Sequence, residues 1–310
     1  MLGICCHFLR EETKPRSGEK IYVNAMEERT LQLGRYRSGK YTPEMIKGTY
    51  VNNVKNLATM LPKIRKSGAR LFRISSAMFP LADQVDRELW DNDEVKKWLK
   101  VAGEYVLAND MRVTTHPGQF CVLSSDSDSV VEKAFVELGI HGWLFDEMGL
   151  DHSAKWAINI HGGKGDRSSR LIEQIKSLPD NVRKRLTLEN DENSYSVIDL
   201  LAVYQQTGVP VVFDSHHHTF NDGELSMRDA HDLTIQTWSN GIRPLQHISN
   251  TEPSLASGSK TDRRKHSDMI HYVPEPQLQA LRDDTIDVEV EAKQKNLAVT
   301  KMATDFSIPI

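Results

Sequence analysis

Val209-Pro210-Val211-Val212-Phe213 is an apolar run of strand length with no polar residue inside it, and it leads straight into Asp214-Ser215-His216-His217-His218. A strand with one face in water alternates polar and apolar residues, so an unbroken run reads as a strand covered on both faces, which is the habit of parallel sheets. Seven further β-branched-rich runs have strand length: Leu2–Cys6, Arg70–Ser75, Met111–Thr115, Trp156–Ile160, Leu186–Leu188, Pro244–Ile248 and Ile286–Val290.

Helical stretches lie between them. Val95, Trp98, Leu99, Ala102 and Val106 recur at helical spacing and form one apolar stripe. Ser129 with Glu132, Ser196 with Asp199 and Ser226 with Asp229 stand at capping-box spacing, and Gly208 and Gly241 stand where helices are expected to stop. Strand and helix alternate along the whole chain. Eight such units in 310 residues predict a (β/α)8 TIM barrel folded as a single domain, residues 1–310. An open doubly wound sheet is the alternative, but no Gly-x-Gly-x-x-Gly turn follows any strand.

Two segments are far longer than an ordinary βα loop: Glu11–Thr49 after strand one and Ser249–Pro276 after strand seven. Both insertions follow the C-terminal end of a strand and are therefore expected on one face of the barrel. Each is locally basic, with four basic residues against one acidic in Arg35–Lys47 and again in Lys260–His266. The whole chain has 39 Lys and Arg against 43 Asp and Glu, a net charge of −4. No global field draws it to a polyanion, so any nucleic-acid contact has to use such local patches. No apolar run reaches the ~18 residues of a membrane span, and Met1–Leu9 lacks a signal-peptide pattern. Cys5, Cys6 and Cys121 are too few and too unevenly spaced for a disulfide framework, so a reducing cytosol is expected.

Barrel active sites sit at the C-terminal ends of the strands. Those ends carry, in order, His116, His161, Glu189, Asp214 with His216, His217 and His218, His247 in strand seven, and Glu291 after strand eight; His266 adds a candidate from the second insertion. Imidazole nitrogen mixed with carboxylate oxygen suits Mn, Zn or Fe, whereas an all-oxygen set suits Mg or Ca. The candidates outnumber the ligands of one ion, so two or three ions sharing bridging carboxylates are expected. Such a cluster serves phosphoryl displacement. Aldose–ketose isomerisation with one or two ions is the other chemistry that these residues leave open.

The motifs Thr115-His116-Pro117-Gly118-Gln119-Phe120, Ile160-His161-Gly162-Gly163, Leu188-Glu189-Asn190-Asp191-Glu192, Phe213-Asp214-Ser215-His216-His217-His218, His266-Ser267-Asp268 and Val290-Glu291-Ala292-Lys293 together resemble the UV damage endonucleases. These are metal-dependent DNA repair enzymes related to the endonuclease IV and xylose isomerase barrels. The resemblance runs from Leu2-Gly3 to about Lys295. His-Pro-Gly-Gln together with Leu-Glu-Asn-Asp-Glu is specific, whereas Glu-Ala-Lys alone is weak.

The resemblance implies a site with up to three divalent ions, usually manganese, with Mg2+, Co2+ or Zn2+ as substitutes. Carried over position by position, the metal ligands would be His116, His161, Glu189, Asp214, His217, His247, His266 and Glu291. Glu189, central in that set, would bridge ions and, with Lys293, act in catalysis. Gln119 and Phe120 match the family's Gln-Tyr pair, which wedges into the duplex where damaged nucleotides leave the stack. Asn190 and Lys293 are expected either behind the ligands or on phosphates, with Asn190 placed among the DNA contacts, and Arg263, Arg264 and Lys265 are the basic residues expected on phosphates. The partner would be double-stranded DNA containing UV lesions, with no membrane and no obligate protein partner. The compartment would be the cytosol, at the nucleoid, or the nucleus of a eukaryote.

The implied reaction is a nick on the 5′ side of a UV photoproduct, with abasic sites as a further lesion class, by activated water and without a covalent intermediate. Poorly stacked lesions cost less to extrude than intact nucleotides, and an aromatic wedge recovers part of the lost stacking. Selectivity would then come from deformability. Ile4, Leu245 and Phe120 stand where the family usually has Tyr, Lys and Tyr, and Ser75-Ser76-Ala77 brings no His from strand two. The loss of the Lys would remove a polar group from the metal neighbourhood. The rival readings are a lesion-binding protein with impaired cleavage and a sugar isomerase on the related barrel.

Overall fold

The run Asp287–Val290 shows how the sheet is built: Asp287 and Glu289 turn to one side, Val288 and Val290 to the other, and all four are buried. The valines join Leu2, Ile4, Phe72, Ile74 and Val113 in the apolar layer between sheet and helices, while the carboxylates face inward. The computed structural model describes residues 1–14 and 17–309. Ten strands occur in it: β1 Leu2–Cys5, β2 Leu9–Thr13, β3 Lys20–Asn24, β4 Leu71–Ile74, β5 Arg112–Thr115, β6 Ile158–His161, β7 Leu186–Glu189, β8 Val211–Asp214, β9 Leu245–Ile248 and β10 Asp287–Val290. β1 and β4 to β10 are parallel and form a closed barrel. Closure comes from β1, which pairs with β10 on one side and β4 on the other, and this excludes the open doubly wound sheet.

Register stacks the inward residues in layers. At the floor the Arg112 guanidinium meets the Asp287 carboxylate at 2.9 Å, both fully buried, and donates to the carbonyls of Lys155 and Arg243 at 2.8 Å each. Breaking such a buried pair from one side costs ~3–5 kcal/mol because the other charge is stranded. Leu71, Val212 and Leu245 share an apolar cluster at this end of the barrel. Gly3 belongs to the same level, where a Cβ would come within 2.5 Å of the Leu71 side chain. Arg73, Thr114, Asn159, Thr187 and Glu289 form the layer above, and the strand-end histidines and carboxylates form the top. The helices that separate the strands include Pro43–Lys66, Asp93–Ala108, Asp128–Glu147, Val197–Thr207 and Lys295–Phe306. None is long and apolar enough to cross a membrane among the described residues.

The first insertion is shorter and more ordered than expected. Thr42 caps Pro43–Lys66, its hydroxyl accepting from the Met45 amide at 3.3 Å, so helix replaces loop before Thr49. β2 and β3 pair as an antiparallel hairpin within it, fastened by Asn296, whose side chain exchanges hydrogen bonds with the Leu9 amide and carbonyl at 2.6 and 3.1 Å. The second insertion holds a short helix at Lys260–Arg263 and ends where Glu275–Arg282 begins. The Ser196–Asp199 capping box is formed, and Ser226 accepts from the Asp229 amide. Ser129 is no cap, because Asp128–Glu147 starts one residue before it with Ser127 at the N-cap. Gly208 ends its helix at φ +70°, whereas Gly241, at φ +88°, lies in a turn well after the helix Met227–Ile235 has ended.

Candidate metal centre

Eight-fold closure brings the last residues of β5 to β10 to one rim. His161, Glu189 and Asp214 terminate β6, β7 and β8; His116 and Glu291 follow β5 and β10 directly; His247 is the third residue of β9. Among these residues and His217, three overlapping groups have one donor atom from each member within 4.8 Å of the others: His116, His161 and Glu189; Glu189, Asp214 and His217; Asp214, His247 and Glu291. Glu189 and Asp214 each belong to two groups. They are the carboxylates placed to bridge.

Glu189 is fully buried and ringed by imidazoles. Its Oε2 lies 3.0 Å from His116 Nε2 and accepts from Asn159 Nδ2 at 2.6 Å; its Oε1 lies 3.3 Å from His217 Nδ1 and 3.2 Å from His247 Nδ1. Thr187 in turn donates to Asn159 Oδ1 at 2.8 Å, which fixes the amide. Burial alone would push the Glu189 carboxyl up, but the imidazoles of His247 and His161 outweigh it and hold it well below the usual range. Burial would likewise push His247 and His217 down, yet the facing carboxylates raise both well above an ordinary imidazole. Glu189, Asp214, Glu289 and Glu291 are four buried or nearly buried carboxylates against one guanidinium, that of Arg73. The balance has to come from protons on His217 and His247 or from cations that displace them.

The His116 ring is oriented to meet such a cation. Pro117 O lies 3.1 Å from His116 Nδ1, so that carbonyl can accept the Nδ1–H and leave the Nε2 lone pair facing Glu189, whereas His217 Nδ1 lies between Asn190 O at 3.0 Å and Glu189 Oε1 at 3.3 Å. His161 Nδ1, Asp214 Oδ2 and both ring nitrogens of His247 are buried without an aligned hydrogen-bond partner. Buried polar atoms are seldom left unpaired. With mixed N and O donors and these orphaned atoms, the residues fit transition-type divalent ions.

Several expected site residues sit differently. His266 belongs to none of the three groups, is 32% exposed, and approaches Glu291 Oε2 with its Nδ1 at 3.8 Å. His216 is buried beside Phe220, and His218 Nε2 reaches the Leu225 carbonyl at 3.1 Å. Asn190 is 0% exposed, so the expectation of DNA contact there is corrected: its amide pairs with both the N–H and the C=O of Asp214, at 2.8 and 2.9 Å, and clamps the ends of β7 and β8 together. Lys293 is 55% exposed, its ammonium 3.5 Å from Glu252 and 3.7 Å from Asp268, outside the three groups. Gln119 and Phe120 occupy the tip of a turn closed by Cys121 N–H to Gly118 O at 2.9 Å. Phe120 is 79% exposed and borders a cavity of about 530 Å3 lined also by Met78, Phe79, Leu81, Ile140 and His141. It is no core aromatic.

In the second insertion Arg264 is ion-paired with Glu192, Lys265 lies 2.8 Å from Asp262, and Arg263 covers the Phe220 ring. Ile4 is buried in the layer under the helices, away from the site, and Leu245 lies in the apolar floor cluster with Leu71, two residues before His247 on the inward face. The cationic group near the ligands is instead Arg73 of β4, 3.2 Å from Glu289 and paired also with Glu291. Arg73, Glu289, Asn159 and Glu192 were not legible as site residues, although Asp287, Glu289 and Glu291 at alternate positions already point three carboxylates to one face of a strand.

The family model described as UV-endonuclease UvdE matches residues 19–308. A UV DNA damage endonuclease of Nostoc sp. is 38% identical over 261 residues, covering 82% of this chain and 77% of the relative. One of Deinococcus radiodurans is 32% identical over 284 residues, covering 90% and 91%. The crystal structure of SacUVDE superposes with a TM-score of 0.79 at 28% identity over 99% of both chains. An L-ribulose 3-epimerase structure, with a TM-score of 0.51 at 15% identity over 82% of this chain and 81% of the other, shares the fold alone.

Proposed function

The chain belongs to the UV-endonuclease UvdE family, and from that premise we propose that it is a DNA repair endonuclease, one domain over residues 1–310, that hydrolyses a backbone phosphodiester on the 5′ side of UV photoproducts in duplex DNA. Abasic sites are a further lesion class for the same site. The observation that carries the reading is the three ligand groups joined through Glu189 and Asp214 at the open rim of the barrel.

His116, His161, Glu189, Asp214, His217, His247 and Glu291 would hold up to three divalent ions, manganese first and Mg2+, Co2+ or Zn2+ as substitutes, with His266 poised beside Glu291. Bound there, such ions supply positive charge that offsets the charge gathering on the attacking and leaving oxygens of a phosphate. The chain's own part is placement. Asn159 and Thr187 hold Glu189 in a single orientation, Asn190 locks Asp214, and the Pro117 carbonyl turns the His116 imidazole toward the centre. Gln119 and Phe120 enter the gap left by extruded nucleotides, and the exposed Arg263, Lys265 and Lys293 meet the phosphate backbone. The place of work is wherever the cell keeps its DNA.

Incubating irradiated and unirradiated supercoiled plasmid with the protein, in manganese or in chelator, tests this. Nicks confined to irradiated plasmid with manganese, with ends mapping 5′ to pyrimidine pairs, are expected. Lesion-specific retention without nicking, or aldose turnover in place of nicking, would replace the reading.

A further inference from the structure

The His116 imidazole is aimed by a backbone carbonyl, but that of His247 is not. Its ring lies wholly buried in β9, with Nδ1 turned to Glu189 Oε1 at 3.2 Å and Glu291 Oε1 at 3.5 Å, and Nε2 turned down to Glu289 Oε2 at 3.0 Å, close enough for a hydrogen bond that a small turn of the ring would align. The two sides of the ring are chemically unequal. On the Nδ1 side are carboxylates of the ligand groups; on the Nε2 side is a carboxylate already held by the Thr114 hydroxyl and by Arg73, whose guanidinium also grips Glu291.

We propose that Glu289 and Arg73 are positioning residues for the Asp214–His247–Glu291 group: Glu289 accepts a hydrogen bond from the Nε2–H of His247 once a bound ion fixes the ring, which keeps the Nδ1 lone pair on the side of Asp214 and Glu291, and Arg73 ties Glu289 to Glu291. Neither touches DNA or an ion. A carboxylate behind a ligating imidazole fixes its tautomer and rotation and raises its donor strength, and losing such a partner costs 10- to 100-fold in metal affinity. Arg73 also keeps Glu289 from becoming a competing ligand, because its charge is balanced one layer below the rim. The same tie leaves Glu291 with its other oxygen, Oε2, on the side of His266. The inference rests on the reading that these groups bind divalent ions.

The test is a titration of the full chain, free of DNA, with Mn2+ read by the electron paramagnetic resonance signal of the free ion, beside melting curves of the metal-free protein. Glu289→Gln should weaken binding of one Mn2+ equivalent about 10- to 100-fold. Thr114→Val, which removes only the hydroxyl that steadies Glu289, should move affinity the same way by a smaller factor, and it decides the matter if Glu289→Gln does not fold. A Glu289→Gln or Thr114→Val protein that melts earlier yet binds manganese as the wild type does would reduce these residues to structural ones and overturn the inference. Plasmid nicking by the wild type is scored separately. If the wild type binds manganese without nicking, the functional reading falls while the affinity ranking still supports the inference; if it nicks and the variants bind normally, the inference alone falls.

Discussion

His116 Nε2 stands 3.0 Å from Glu189 Oε2, although the two residues are 73 positions apart and leave the barrel on β5 and β7 with β6 between them. The contact exists because Glu189 leans across the rim, and a charge in that place can be shared by ions on either side. Glu189→Gln keeps the shape and removes the charge. Nicking should fall by orders of magnitude, and metal content after dialysis should drop by at least one equivalent. Retention of both would take Glu189 out of the centre.

Phe120→Ala should leave the melting temperature within a degree or so, since the ring is 79% exposed and packs little. Binding to lesion-bearing duplex should weaken about 5- to 150-fold, the equivalent of ~1–3 kcal/mol per stacked base. Phe120→Tyr, which keeps the ring, should bind as well or better. Equal lesion binding by the alanine variant would end the wedge assignment.

Arg263 and Lys265 are exposed, whereas Arg264 is ion-paired with Glu192. Replacing Arg263 and Lys265 together should lower affinity for damaged and intact DNA alike and flatten the slope of log K against log salt by up to ~2 × 0.9. Adding Arg264→Ala should contribute less than a full further unit, because that guanidinium is less exposed than Lys265 and its partner Glu192 is more buried than Asp262, the partner of Lys265. Damage preference should survive in each case. Loss of discrimination at an unchanged slope would mean that this loop reads the lesion.

Glu28, in the first insertion, has its carboxyl pushed up to about 7 by burial, with the Ser75 hydroxyl pulling the other way. An unfolded Glu titrates near 4.3, so folding favours the protonated form. The contribution is full below about pH 4.3 and is lost as pH rises through about 7, a swing of up to ~3 kcal/mol. Glu28→Gln should therefore melt higher than the wild type at pH 8 and lose the difference toward pH 4. Parallel melting curves across that range would assign the titration to another group.

All eight barrel strands were legible in the sequence because each is short, β-branched and buried on both sides, as in Val211-Val212-Phe213. β2 and β3 were not: Leu9-Arg10-Glu11-Glu12-Thr13 pairs only with its own hairpin partner, away from the barrel, so its side chains need no apolar pattern. The candidate ligands at the strand ends are readable in the sequence since chemistry and position coincide there. The sequence leaves Asn190 between a phosphate contact and a place behind the ligands because its neighbours in sequence are polar, and the demand it answers, two backbone groups of Asp214, lies 24 residues away. Arg73 and Glu289 were passed over for the opposite reason: a charge in mid-strand has meaning only once closure sets the two strands side by side with β1 between them.

In β10 the residues that hold the helices and the residues that hold the charges occupy alternate positions, so inheritance can treat them as two separate texts written on one line. Substitution at Glu289 or Glu291 rewrites the reagent and leaves Val288 and Val290, the scaffold, untouched. A single-residue insertion inside this four-residue strand would exchange the two texts at once, sending carboxylates under the helices and valines toward the ions. The connections, as at Cys6–Thr42 and Ser249–Pro274, are where the chain can lengthen without disturbing the alternation.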